Sequence, residues 1–224
     1  MHTRNPDLTV DAVTDRAVID RIGGIGLLPV IVVNDLAQAR PLAQALVDSG
    51  LHTAEVPFRT PQALEALAVF ADHPELLVGA GTVRTAEQVR RAQDAGARFV
   101  VSPGFSEPVV EACGARGIPV FPGASSATDI HRATEAGLDV LKFFPAETSG
   151  GAAAIAALSA PFPDVRFIPT GGVGPQNLAD YFRLSAVCCV GGSWMVPRDV
   201  MRAGDWGGVT ALCRQAVEQV AQLR

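Results

Sequence analysis

A (β/α)8 barrel preceded by one extra helix is the α/β fold that the sequence predicts. Strand-like apolar runs alternate with helical stretches eight times. Several of those helices close on a glycine, and the strand ends fall at residues 33, 56, 81, 102, 121, 143, 170 and 191, spaced 19 to 27 apart. Regular alternation implies parallel strands joined by crossover helices. Eight such units in about 200 residues fit a closed barrel at the short end of its range. The rival is an open doubly wound sheet, which usually carries a glycine fingerprint after its first strand. No GxGxxG stands there.

Residues 1–22 read as an N-terminal segment with a helix over 10–22, where Val10, Val13, Val18, Ile19 and Ile22 recur at loose helical spacing. Residues 27–33 are nearly all apolar, as in a parallel strand buried on both faces. Asn34 and Asp35 offer a cap for a helix over 36–47, which Gly50 ends. Further strands are predicted over 52–56, 76–80, 98–102, 118–122, 139–144, 165–170 and 186–191. Helices over 86–95, 108–116 and 129–136 run up to Gly96, Gly117 and Gly137, and a last helix spans 205–223. No linker-like stretch interrupts this order, so residues 23–224 read as a single barrel domain.

The chain has 224 residues, 48% of them hydrophobic and 18% charged, enough for a large core and too apolar for disorder. A net charge of −5 leaves no footprint for nucleic acid or an anionic membrane. Any phosphate must therefore be met by local geometry. Cys113, Cys188, Cys189 and Cys213 show no CxxC spacing and read as reduced core thiols, with adjacent Cys188 and Cys189 on opposite faces of a strand. His2, His52, His73 and His131 are scattered, so no metal is expected. The N-terminus lacks a cationic and apolar leader, and no long charge-free apolar stretch occurs, which predicts a soluble cytoplasmic protein.

Of the 18 Lys and Arg residues, only Lys142 is lysine. It stands inside Leu138-Asp139-Val140-Leu141-Lys142-Phe143-Phe144, a setting for a desolvated amine. Arginine cannot condense with a carbonyl, whereas a desolvated lysine can. The plainer alternative is a lysine at a strand end that snorkels into water.

Barrel chemistry comes from the C-terminal ends of the strands. Alternation puts Lys142 with Val140 and Phe144, and Glu55 with Thr53, each set on one side of its strand. If that side is the interior, Lys142 and Glu55 share a cavity with aromatic walls. Glu55 then suits general acid/base work. Its plainer role is an ion pair to Arg59. Arg59 itself offers a planar fork for a carboxylate. Thr170-Gly171-Gly172 and Gly191-Gly192-Ser193 form glycine turns at the seventh and eighth strand ends, the usual phosphate site of this barrel, with residues 194–201 as a candidate extra helix. Glycines that merely turn the chain are the alternative.

These motifs, in order from residue 21 onward, resemble the 2-keto-3-deoxy-6-phosphogluconate (KDPG) and 2-keto-4-hydroxyglutarate (KHG) aldolases: Leu27-Leu28-Pro29-Val30, Glu55-Val56 with Arg59-Thr60, Gly79-Ala80-Gly81-Thr82-Val83, Ser102-Pro103-Gly104, Lys142-Phe143-Phe144-Pro145-Ala146-Glu147, Pro169-Thr170-Gly171-Gly172 and Gly191-Gly192-Ser193-Trp194. The resemblance implies a class I, metal-independent aldolase of the Entner–Doudoroff pathway, without a cofactor and usually a homotrimer. Its substrate would be a small phosphorylated 2-keto acid, cleaved to pyruvate and glyceraldehyde 3-phosphate. Lys142 would form the Schiff base and Glu55 would move protons. Arg59 and Thr82 would hold the carboxylate, and Pro103, Phe144 and Thr170 would line the pocket. Gly171, Gly172, Gly192 and Ser193 would bind phosphate. Pro57-Phe58 stands where the family is expected to carry Thr-Leu, and Pro57 removes a backbone donor beside the site.

Three alternatives stay open at this level. One is the same chemistry on the galactonate epimer or on 2-keto-4-hydroxyglutarate. The others are a phosphosugar isomerase or epimerase, and a non-catalytic sugar-phosphate binder.

Overall fold

The computed structural model describes residues 15–224, so residues 10–14 of the expected leading helix lie outside the described residues. The part that is described, α1, runs Arg16–Ile25. Asp15 caps it by accepting from the amides of Ala17 and Val18, and Gly26, at φ 75°, ends it.

Strands β1 (Leu27–Pro29), β2 (Thr53–Pro57), β3 (Leu77–Gly81), β4 (Phe99–Val101), β5 (Val120–Phe121), β6 (Gly123–Ala124), β7 (Val140–Phe143), β8 (Arg166–Pro169) and β9 (Val190–Gly192) are all parallel. Their pairings are β2-β3-β4-β5, β6-β7-β8 and β1-β9. Bridges Val30–Glu55, Phe167–Val187 and Thr170–Gly191 close the remaining seams. β5 and β6 are one stave split at Pro122, which lacks the N–H a central strand would donate. The result is the expected eight-stave barrel.

Helices α2 (Ala39–Asp48), α3 (Ala63–Ala71), α4 (Ala86–Asp94), α5 (Glu107–Arg116), α6 (Ala127–Glu135), α7 (Gly151–Ser159), α8 (Leu178–Phe182), α9 (Arg198–Arg202) and α10 (Trp206–Leu223) connect the staves and complete the outer layer. Several expectations shift. The predicted 27–33 strand ends at Pro29 because the chain turns after the Val30 bridge, and Thr60 Oγ1 then donates to the Val33 carbonyl at 2.7 Å. The predicted 36–47 helix begins as a 3-10 turn over Leu36–Gln38. The extra helix foreseen at 194–201 starts only after Pro197.

Two apolar clusters result from strand alternation. One lies between staves and helices. The other fills the barrel: Leu28, Leu77, Phe99, Val101, Phe121, Val140, Ile168, Cys188 and Cys189, with Val18, Ile19 and Ile22 of α1 packed against them. Cys188 and Cys189 both join this second cluster, so the expected placement on opposite faces of a strand does not hold. α1 thus plugs one end of the barrel. Burying each such side chain is worth about 1.5–3 kcal/mol before entropy is counted. All four cysteines are free and buried, as expected of core thiols. Burial pushes Cys113 and Cys213 up to about 12 and Cys188 to about 11.

Candidate active site

β7 carries Lys142 into the barrel, where the residue is 3% exposed, and β2 carries Glu55, fully buried. Lys142 Nζ lies 3.1 Å from Glu55 Oε1 and 3.5 Å from Oε2. The Phe144 ring centroid is 5.1 Å from the same nitrogen. The snorkelling lysine and the Glu55–Arg59 ion pair are both set aside by this geometry. A buried pair so close can pass one proton between nitrogen and oxygen. When the oxygen holds it, the amine has a free lone pair.

Glycines make the room. A Cβ on Gly81 would stand 2.2 Å from Glu55 Oε1, and one on Gly79 would stand 2.1 Å from the Phe99 ring. β3 therefore shows the interior Leu77, then two gaps, and the carboxyl of its neighbour fills one gap. Gly123 is Lys142's partner in register. Its own missing Cβ is replaced by the Pro103 carbonyl, 2.1 Å from where that carbon would be. That contact seats Pro103 over the stave next to Lys142.

Arg59 follows β2, and its Nε donates to Thr82 Oγ1 at 3.1 Å. Thr82 holds φ at 55°, a conformation that costs a β-branched residue about 1–3 kcal/mol and is found mostly at functional sites. The two side chains meet at the rim with donors exposed. Pro57 does not disturb them. The bond to β3 is made by Phe58 N–H to the Gly81 carbonyl at 2.8 Å, while the β1 side takes Ile31 N–H on the Glu55 carbonyl at 2.9 Å. Pro57's absent N–H faces the β1 side, beyond the last bridge.

Thr170 directly follows β8 and is buried, its Oγ1 occupying the space that a Gly191 Cβ would need. Gly171 and Gly172 follow at φ 101° and 82°. Their turn is held from behind. Ala146 N–H donates to the Thr170 carbonyl at 2.8 Å, Glu147 N–H to that of Gly171 at 3.0 Å, and Asn177 Nδ2 to that of Gly172 at 3.1 Å. With the carbonyls engaged, the amides of Gly171, Gly172 and Val173 have no protein acceptor among the described residues, an arrangement able to cradle an anion. Gly192 lets the Trp194 ring pack where its Cβ would be, and Ser193 is exposed beside it.

Sequence reasoning missed the strut behind this cradle. A Cβ on Gly172 would lie 2.5 Å from Glu147 Cγ. Glu147 accepts a short hydrogen bond from the hydroxyl of fully buried Tyr181 on α8. Desolvation, followed by the Glu147 bond, holds that phenol well above its usual range. Glu147 was visible within the Lys142 motif, but nothing in sequence linked it to Tyr181, 34 residues on.

Among the described residues no three His, Cys, Asp or Glu side chains gather as a metal site, and no helix is long and apolar enough to cross a membrane. A family model, KDPG and KHG aldolase, matches residues 18–212. A 2-dehydro-3-deoxy-phosphogluconate aldolase of Treponema pallidum (strain Nichols) is 47% identical over 204 residues, 91% of this chain and 97% of that protein. The crystal structure of a KDPG aldolase from Legionella pneumophila, with pyruvate captured as a covalent carbinolamine, is 40% identical with a TM-score of 0.83. It covers 86% of this chain and 96% of its own. A 2-keto-3-deoxy-6-phosphogluconate aldolase of Zymomonas mobilis ZM4 with 3-phosphoglycerate scores 0.84 at 40% identity, covering 92% and 96%.

Proposed function

The chain belongs to the KDPG and KHG aldolase family and is a class I aldolase, and we propose the residue roles by which it cleaves 2-keto-3-deoxy-6-phosphogluconate to pyruvate and glyceraldehyde 3-phosphate. The observation that carries the proposal is the buried Lys142–Glu55 pair at 3.1 Å. The Lys142 amine adds to the C2 ketone, and the carbinolamine loses water to give an iminium. As the C3–C4 bond breaks, Glu55 takes the C4 hydroxyl proton, and the bonding pair moves into the iminium to form an enamine. Glu55 returns a proton to C3, and water releases pyruvate from Lys142. An iminium accepts that electron pair better than a ketone does, so the reaction needs no metal.

Arg59 and Thr82 hold the pyruvate carboxylate, a role supported by their mutual hydrogen bond and free donors. Pro103, Phe144 and Thr170 line the pocket. The amides of Gly171 and Gly172, with Gly192 and Ser193, grip the phosphate and fix the substrate's register away from the bond that breaks. This cradle favours phosphorylated acids over 2-keto-4-hydroxyglutarate, while tolerance of the galactonate epimer depends on the C4 contacts. The family resemblance further supports a homotrimer in the cytoplasm.

Borohydride reduction in the presence of pyruvate tests the mechanism. Irreversible inactivation with the reduced adduct on Lys142 is the expected result. Retained activity, or an adduct elsewhere, rejects Lys142 as the nucleophile.

A further inference from the structure

A cavity of about 260 Å³ at the barrel mouth is lined by Val30, Val32, Arg59, Ser193, Val196 and Met201, and by Arg198. Arg198 opens α9, the short helix directly after the second glycine turn. Among the described residues neither Arg59 nor Arg198 lies within ion-pair distance of a carboxylate. Asp199 follows Arg198, but successive helical side chains do not face each other. A wall of valine and methionine thus carries two guanidinium groups without counter-ions among the described residues. One stands by the proposed carboxylate grip. The other stands by Ser193 of the proposed phosphate grip.

The chain as a whole is anionic, at −5, so this local cation is not a consequence of a basic surface. The glycine cradle consists of neutral amides and a hydroxyl, which meet any anion of suitable size. The Arg198 guanidinium, which lines one cavity with the Ser193 hydroxyl, adds charge and a two-pronged fork matched to phosphate oxygens. A phosphate monoester carries about 1.5–2 negative charges at neutral pH, against one for a carboxylate. The cation therefore favours the phosphate more strongly.

We infer that Arg198 is a specificity-determining residue, which selects 2-keto-3-deoxy acids ending in a phosphate over those ending in a hydroxyl or carboxylate. This rests on the aldolase reading, and the two can fail separately. Wild-type pyruvate release and borohydride trapping judge the aldolase reading, whereas only variants at position 198 judge this inference. Steady-state kinetics of Arg198→Ala are read on 2-keto-3-deoxy-6-phosphogluconate, its unphosphorylated counterpart and 2-keto-4-hydroxyglutarate, with inorganic phosphate as a competitive inhibitor. The expected result is a KM about tenfold higher for the phosphorylated acid and inhibition by phosphate weakened by a similar factor. The kcat values, and kcat/KM on the other two acids, stay within about twofold, and Arg198→Lys restores part of the loss. Equal losses on all three substrates, or no change in KM and phosphate inhibition, would overturn it.

Discussion

The two ends of the barrel differ in what fills the same interior positions. Toward the end plugged by α1, the strands begin with interior side chains such as Leu77 and Val140, which share one apolar cluster with Val18, Ile19 and Ile22. Toward the opposite mouth the same alternation presents Gly79, Gly81, Gly123 and Gly191, and the vacated space is taken by groups from neighbouring staves: the Phe99 ring, the Glu55 carboxyl, the Pro103 carbonyl and the Thr170 hydroxyl. One end is a core and the other is a socket. Stability is concentrated where side chains are present, and chemistry where they are omitted.

The largest effect should come from Lys142→Arg. A guanidinium keeps the charge opposite Glu55 but forms no imine, so pyruvate release in a coupled assay should fall by at least about 10⁴-fold. The circular dichroism spectrum should be unchanged.

A sharper comparison sets Gly81→Ala against Leu77→Ala on the same strand. The new methyl at position 81 collides with Glu55 Oε1, so kcat should fall about 100-fold. Removing the Leu77 side chain should cost about 2–5 kcal/mol in denaturant unfolding while kcat at 25 °C stays within about twofold. If Leu77→Ala impairs turnover as much as Gly81→Ala does, the division of labour between the ends is wrong.

Tyr181→Phe removes the hydroxyl that holds Glu147 behind Gly172. KM for the phosphorylated substrate should rise about threefold to tenfold with kcat preserved, and stability should drop by about 1 kcal/mol. An unchanged KM would mean that the strut supports the fold alone.

The smallest effect concerns pH. Buried Cys113, Cys188 and Cys213 titrate above their ordinary 9.0, at about 12, 11 and 12. The folded chain therefore keeps protons that the unfolded chain releases. Their stabilising contribution is complete below about pH 8.5 and is lost as pH rises toward 11–12. Thermal midpoints should fall across that range, and a thiol reagent at pH 8 should react only with unfolded protein.

Much of this was legible from the chain. The spacing of apolar runs and helix-ending glycines predicts eight units, because a stave and its crossover helix need a nearly constant length. A lone lysine in an apolar run marks Lys142 as unusual before any coordinates exist. Alternation also brings Lys142 and Glu55 into one cavity if the sides they share with Val140 and Thr53 face the interior, and the 3.1 Å contact meets that condition. Other readings failed for local reasons. The first strand is shorter than its apolar run, since interior burial does not require strand pairing. The fifth is broken by Pro122, and Cys188 and Cys189 share one cluster instead of facing opposite ways.

The sequence by itself determined the period of the fold, the place of its one lysine and the order of the turns, because each is a local property of residue type and spacing. Only the tertiary structure decided which side chain enters each glycine's vacancy, that Tyr181 reaches Glu147, and that Arg59 rests on Thr82 rather than on Glu55. Those outcomes depend on barrel closure, which brings together residues that no sequence period relates.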